Sequence, residues 1–200
     1  MEKEINNNGY DYVDLGLPSS TLWATCNVGA SKSSESGLYF QWGDTKGYTK
    51  EQVGKGKKFK WDDYKWNASK GFSKYKTPGA SLRKSDDAAH ANMGGSWHMP
   101  TPDQIKELTT NTTSTWTKQD GVNGKLFTSN NDTSKSIFFP ALGYALDCSV
   151  HDSGGSGDIW SSMLDTRDVS FGQFLDFDSG CAGLYNGSRC CGFSVRGVIG

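Results

Sequence analysis

Apolar positions alternate near the start of the chain and lose their period toward its end. Tyr10, Tyr12 and Val13 lead to Leu15, Leu17-Pro18-Ser19-Ser20 carries turn chemistry, and Leu22-Trp23-Ala24 runs out again. Two short strands joined by a turn are predicted. Residues 37–43, Gly-Leu-Tyr-Phe-Gln-Trp-Gly, read as an aromatic strand or turn bounded by glycines. Ser85 followed by Asp86 and Asp87, with Gly94-Gly95 as a stop, predicts a short helix with Ser85 as its N-cap. Thr101-Pro102-Asp103-Gln104 is a stronger start signal, with Thr as N-cap, Pro at the first helical position and Gln completing a capping box. That helix is expected to run over 101–109 and to carry Ile105 and Leu108. Strands are predicted over 115–117, 124–128 and 136–144.

Residues 159–200 are different. Trp160-Ser161-Ser162, Leu175 with Phe177, Ser179-Gly180, and 192–196 look like anchors, while aromatic, acidic, small and cysteine residues follow one another between them without a period. Leu175, Phe177, Phe193 and Val195 are assigned to the interior. With two short helices early and strands later, the fold class is α+β.

The totals narrow the picture. A chain of 200 residues with 34% apolar residues and 25 glycines is enough for one domain with its own core. Charge is uneven: residues 46–84 hold eleven Lys, one Arg and three acids, whereas neither Lys nor Glu occurs from Ser136 onward. These lysines lie among Gly, Tyr and Trp with no recognisable binding helix, so residues 45–84 read as a solvated insertion and not as a nucleic-acid site. Trp61, Tyr64, Trp66, Phe72 and Tyr75 are expected to pin that excursion to the body. No apolar run reaches the ~18 residues of a membrane span, so no membrane insertion is expected. The opening Met-Glu-Lys-Glu has no apolar stretch of the kind that marks a signal peptide.

Candidate chemistry is sparse. Ala88-Ala89-His90 and Asp152-Ser153-Gly154-Gly155 imitate serine-protease motifs, but the histidine falls in a helix pattern and no orienting acid stands out. Asp147, Asp152 and Asp158 lack the spacing of an EF-hand loop. Five cysteines, an odd number without C-x-x-C spacing, point to free thiols and to neither a disulfide framework nor a zinc site. No catalytic residue, metal site or cofactor is expected. Asn67, Asn111, Asn131 and Asn186 stand in glycosylation sequons, relevant only in a eukaryotic secreted protein.

Seven ordered blocks, Tyr12-Val13-Asp14-Leu15-Gly16-Leu17-Pro18, Leu22 to Ala30, Tyr39-Phe40-Gln41-Trp42-Gly43-Asp44, Asp86-Asp87-Ala88-Ala89, Gly94 to Thr101, Phe139-Pro140-Ala141 and Trp160-Ser161-Ser162, resemble the Fibrobacter major paralogous domain family. The resemblance covers nearly the whole chain. It implies a single C-type-lectin-like domain akin to the formylglycine-generating enzyme, with a twisted, mostly antiparallel sheet and long loops. Relatives of this kind include the variable proteins of diversity-generating retroelements, found in gut bacteria and phages, in which adenines near the 3′ end of the gene are rewritten. Rewriting the two adenines of an AAC codon never yields Lys, Glu, Gln, Met or Trp, and between Leu164 and Cys191 only Gln173 falls outside the reachable set.

The resemblance places a variable binding region at 158–191, with diversified positions at Asp158, Ile159, Asp165, Arg167, Asp168, Phe171, Phe174, Asp176, Asp178, Cys181, Gly183, Leu184, Tyr185, Asn186, Cys190 and Cys191. The function it implies is a ligand-binding display domain without catalysis. Phe171, Phe174 and Tyr185 would act as aromatic anchors, and Arg167, Asp176 and Asp178 would set charge complementarity. The expected ligand is a variable macromolecule or a glycan on a cell surface, and the expected setting is a module of a larger or oligomeric assembly outside the cell, on a virion or bacterial surface. A paralogous domain without diversification is the main rival. A copper enzyme of the formylglycine-generating type and a calcium-dependent lectin fit less well, since Cys190-Cys191 are not a separated pair and the usual lectin calcium motifs are missing.

Overall fold

The computed structural model describes residues 7–69 and 71–200; the Met-Glu-Lys-Glu start and Lys70 of the basic segment lie outside them. The chain opens with β1 (Tyr12–Asp14) and β2 (Leu22–Asn27), antiparallel as expected, with Ser20 N–H closing the intervening turn onto Leu17 O at 2.8 Å. The last strand, β13 (Arg196–Ile199), returns to pair with β2 and so joins the two ends of the domain. Residues 37–43 form no strand, only isolated bridges from Tyr39 to Tyr48 and from Phe40 to Phe193.

The basic segment is mainly loops and single turns, with a small ladder of β3 (Asn67–Ala68) and β4 (Gly71–Phe72). Its aromatics hold it down. Tyr64 and Trp66 are buried in the same cluster as Trp42 and Trp160, and Trp61, Phe72 and Tyr75 pack against it.

Helix α1 (Ala88–Met93) begins two residues later than the sequence suggests, because Asp87 and not Ser85 caps it: the Asp87 carboxylate accepts from His90 N at 2.9 Å and from Met99 N at 2.9 Å. Ser85 instead sits in a preceding single turn. Two backbone donors, one from beyond the helix, outweigh what a hydroxyl offers. Helix α2 (Pro102–Asn111) has the expected capping box, with Gln104 N donating to Thr101 Oγ1 at 3.2 Å and Thr101 N donating to Gln104 Oε1 at 2.9 Å. It runs slightly past the expected end and buries Ile105 and Leu108, one turn apart on its inner face.

The remaining strands make several small antiparallel sheets where one larger sheet was expected. Strands β5 (Thr112–Gln119), β6 (Val122–Ser129) and β7 (Ser136–Pro140) form one. A hairpin of β8 (Tyr144–Leu146) and β9 (Ser149–His151) forms another. Strands β10 (Ser156–Leu164), β11 (Phe171–Asp178) and β12 (Ala182–Ser188) form a third, in that order, with β12 at the edge. The fold is therefore mixed α and β with strand dominant, and no helix among the described residues is long and apolar enough to cross a membrane.

The third sheet sits between two hydrophobic clusters. Trp160 and Phe174 point into the one with Trp42 and Phe193, whereas Ile159, Leu175 and Phe177 point into the one with Trp23, Ile105, Leu108 and Phe139. Burial of each such side chain contributes about 1.5–3 kcal/mol. A strand with a core on both faces has no polar face to alternate with, so this sandwiching explains why the sequence loses its period here.

Candidate functional site

Strand register sorts the ten candidate positions that lie within β10, β11 and β12 onto two faces of the sheet; Asp165, Arg167, Asp168, Cys181, Cys190 and Cys191 lie in the segments that flank the strands. Asp158 lies opposite Asp176, which lies opposite Gly183; Trp160 lies opposite Phe174, which lies opposite Tyr185. Because side chains alternate across a strand, these two rows share one face. Ile159 opposite Leu175 opposite Leu184, and Gln173 opposite Asn186, lie on the other. The candidates do not form one continuous surface.

Nor are all of them displayed. Asp158, Ile159, Asp165, Phe174, Cys190 and Cys191 are buried. Ile159 is 1% exposed in the core and has no surface to offer a ligand. Phe174 packs edge-on to Trp160 at 6.0 Å and lies 4.5 Å from the Phe193 ring, so it is a packing residue rather than an anchor. Cys190 and Cys191 are free thiols beneath the surface; a hydrogen bond between them holds Cys190 down and pushes Cys191 up. Arg167, Asp168, Cys181, Tyr185 and Asn186 are exposed, and Phe171, Asp176, Asp178, Gly183 and Leu184 are half-buried. Tyr185, at 48%, is the most exposed large apolar side chain of the chain's described part.

On the α2 side, Asp165, Arg167, Leu184 and Asn186 line a cleft of about 580 Å³ with Thr101, Pro102, Asp103, Lys106, Met163, Thr166 and Gln173. Asp165 organises its rim. Despite burial, the Arg167 and Asp168 N–H groups, both 2.8 Å from Asp165 Oδ1, hold its carboxylate below the usual range. The Arg167 guanidinium is 4.0 Å away and largely exposed, so it is free for a ligand. The contribution of the α2 start to this cleft was not readable from its sequence, since nothing local signals which strand a helix end faces.

On the opposite side, burial pushes Asp158 up to about 7, helped by Asp176 and Asp152. Asp176 is also raised, by burial and then by Asp178. Asp178 is held low by the N–H groups of Cys181 and Gly180, at 2.8 and 2.7 Å. Tyr185 lies above Gly183: a Cβ on that glycine would meet Tyr185 Cε2 at 3.3 Å.

Below the candidate strands lies a buried cation that the sequence reading missed. Arg189 donates through Nε to Tyr64 Oη at 2.8 Å, through Nη1 to the carbonyls of Tyr75 and Val169, and through Nη2 to that of Lys74. Rings of Trp42, Tyr64, Trp66 and Phe72 surround its guanidinium, 4.3 to 5.8 Å from their centres. Arg196 is held in the same manner by Asn27 Oδ1 and the carbonyls of Ala24, Thr25 and Phe138. Both arginines are structural, with their donors spent on the chain itself.

A family model for a domain of unknown function, DUF8237, matches residues 111–198. The match spans β5 to β13 and all sixteen candidate positions, and carries no activity. No curated protein and no solved structure is detectably similar to the chain.

Proposed function

We propose that the chain is a ligand-binding display domain of C-type-lectin-like fold, on a virion or bacterial surface, whose edge strand β12 and neighbouring turns carry the recognition residues. The observation that supports this most is the contrast within one sheet. Trp160, Leu175 and Phe177 are fully buried between two cores, while the next strand outward presents Tyr185 and Asn186 to solvent. A rigid support under exposed, chemically varied side chains is what a recognition surface requires. The recognition set in this proposal is Arg167, Leu184 and Asn186 lining the cleft, the exposed Asp168 next to Arg167 in sequence, and Asp176, Cys181, Gly183 and Tyr185. Joint replacement of the exposed members is the test: ligand choice should change and the fold should persist.

Diversification by a retroelement is the accompanying proposal, supported by the reachable composition of 164–191. A domain of the same kind without diversification is the second reading. It is favoured by the burial of six of the sixteen positions, since random replacement of Ile159 or Phe174 would damage the core. Sequencing the locus separates the two: a near-identical, Asn-codon-rich copy of the segment beside a reverse transcriptase gene supports diversification, and the lack of both supports the second reading.

A further inference from the structure

Asp158 is 6% exposed and its buried Oδ2 has no hydrogen-bond partner, although the residue stands directly across the ladder from Asp176. An acidic oxygen removed from water without a donor costs free energy that the fold elsewhere avoids. No Lys or Arg among the described residues forms an ion pair with either carboxylate. Lys125, whose charge reaches Asp178, is spent on the carbonyls of Asp178 and Cys181, at 2.8 and 3.0 Å.

We propose that Asp158 and Asp176 form the floor of a subsite for an organic cation, the ammonium or guanidinium of a basic side chain on the ligand. This rests on the display reading and gives it a ligand chemistry. Asp176, half-buried, would meet the cation first, and the unpartnered Asp158 behind it supplies the second acceptor. An organic cation fits better than a metal ion because, among the described residues, no group of three or more His, Cys, Asp or Glu side chains converges as a metal would need. Two aromatic side chains stand nearby: Tyr185, whose ring edge lies over Gly183, the neighbour of Asp176 on β12, and Tyr144 on the hairpin, whose ring is stacked on that of His151 at 5.5 Å.

The test needs no natural ligand. Carboxyl carbon resonances of Asp158 and Asp176 are followed by NMR in the full chain during addition of Nα-acetyl-lysine methylamide, Nα-acetyl-arginine methylamide, the neutral Nα-acetyl-norleucine methylamide, or calcium chloride. The expected result is a saturable shift of both resonances with at least one cationic amide and with neither norleucine amide nor calcium. Asp176→Asn should weaken that response by about tenfold or more, the loss expected from one charge-assisted contact, while Thr133→Ala, at an exposed position outside the recognition set, leaves it unchanged. An equal response to norleucine amide, a response to calcium alone, or none at all overturns the subsite. If the cationic amides bind but joint replacement of the exposed residues never alters recognition of cells or glycans, the display reading fails and the subsite does not. The converse result removes only the subsite.

Discussion

The Arg189 guanidinium lies 4.3 Å from the centre of the Phe72 ring, and the contact ties the basic segment to the strand that leads out of the candidate face. No carboxylate among the described residues pairs with it. Aromatic rings, carbonyls and the Tyr64 hydroxyl replace the counter-charge, an arrangement that needs the planar fork of Arg. Arg189→Lys should therefore destabilise the fold by roughly 2 kcal/mol or more, because lysine cannot serve Tyr64, Tyr75, Val169 and Lys74 together. Limited tryptic digestion should locate the loosening at the lysines of 45–84; a variant as resistant as the parent would contradict this role.

Asp158 predicts an unusual pH dependence. Its folded value is about 7, against about 3.9 for an unfolded aspartate. Between those values the folded chain keeps a proton that the unfolded chain has released, so this group's contribution to stability falls as pH rises from about 4 to about 7 and is level above. The full difference is roughly 4 kcal/mol at most. The groups facing Asp158 are Asp176 on β11, Asp152 after the hairpin, Tyr144 on the hairpin, Tyr39 and Cys191. Asp158→Asn removes the titration. Thermal melts should show the variant at least as stable as the parent at pH 8, with the two converging near pH 4. A variant clearly weaker at pH 8 would mean that the ionised carboxylate is needed by the fold.

Glycines in the candidate strands divide into forced and free. A Cβ on Gly172 would meet Trp42 Cδ1 at 2.6 Å and Trp160 Cζ3 at 3.0 Å, both in rigid, buried rings. On Gly183 it would meet only the edge of the exposed Tyr185 ring, at 3.3 Å. Gly172→Ala should cost about 1–3 kcal/mol by overpacking, and Gly183→Ala less than about 1 kcal/mol. Ile159→Ala, in the same sheet, should cost about 2–5 kcal/mol. Urea unfolding of the three variants checks the order, and a tolerant Gly172 or Ile159 would place them outside the framework.

These cases show which parts of the sequence were legible. Helix α2 was readable because Thr101, Pro102 and Gln104 act within four residues of one another, and the capping box formed as expected. The α1 cap was misplaced because Ser85, Asp86 and Asp87 are all competent caps, and Met99, twelve positions away, decides among them. Leu175, Phe177, Phe193 and Val195 are interior as expected. Composition could not separate Gly172 from Gly183, or Phe174 from Tyr185, since both members of each pair lie in the reachable set and differ only in what packs over them. Arg189 was hidden for the same reason: its partners are 20 to 125 residues distant.

The central claim is that recognition residues sit on a framework that does not depend on them. Joint replacement of Arg167, Asp168, Leu184, Tyr185 and Asn186 by other small and polar residues tests it most directly, with calorimetry and binding of the labelled chain to a panel of bacterial cells and surface glycans measured on the same preparation. The account predicts a melting temperature within about 3 °C of the parent together with a changed binding profile. Loss of cooperative unfolding, or an unchanged profile with the fold intact, would contradict it.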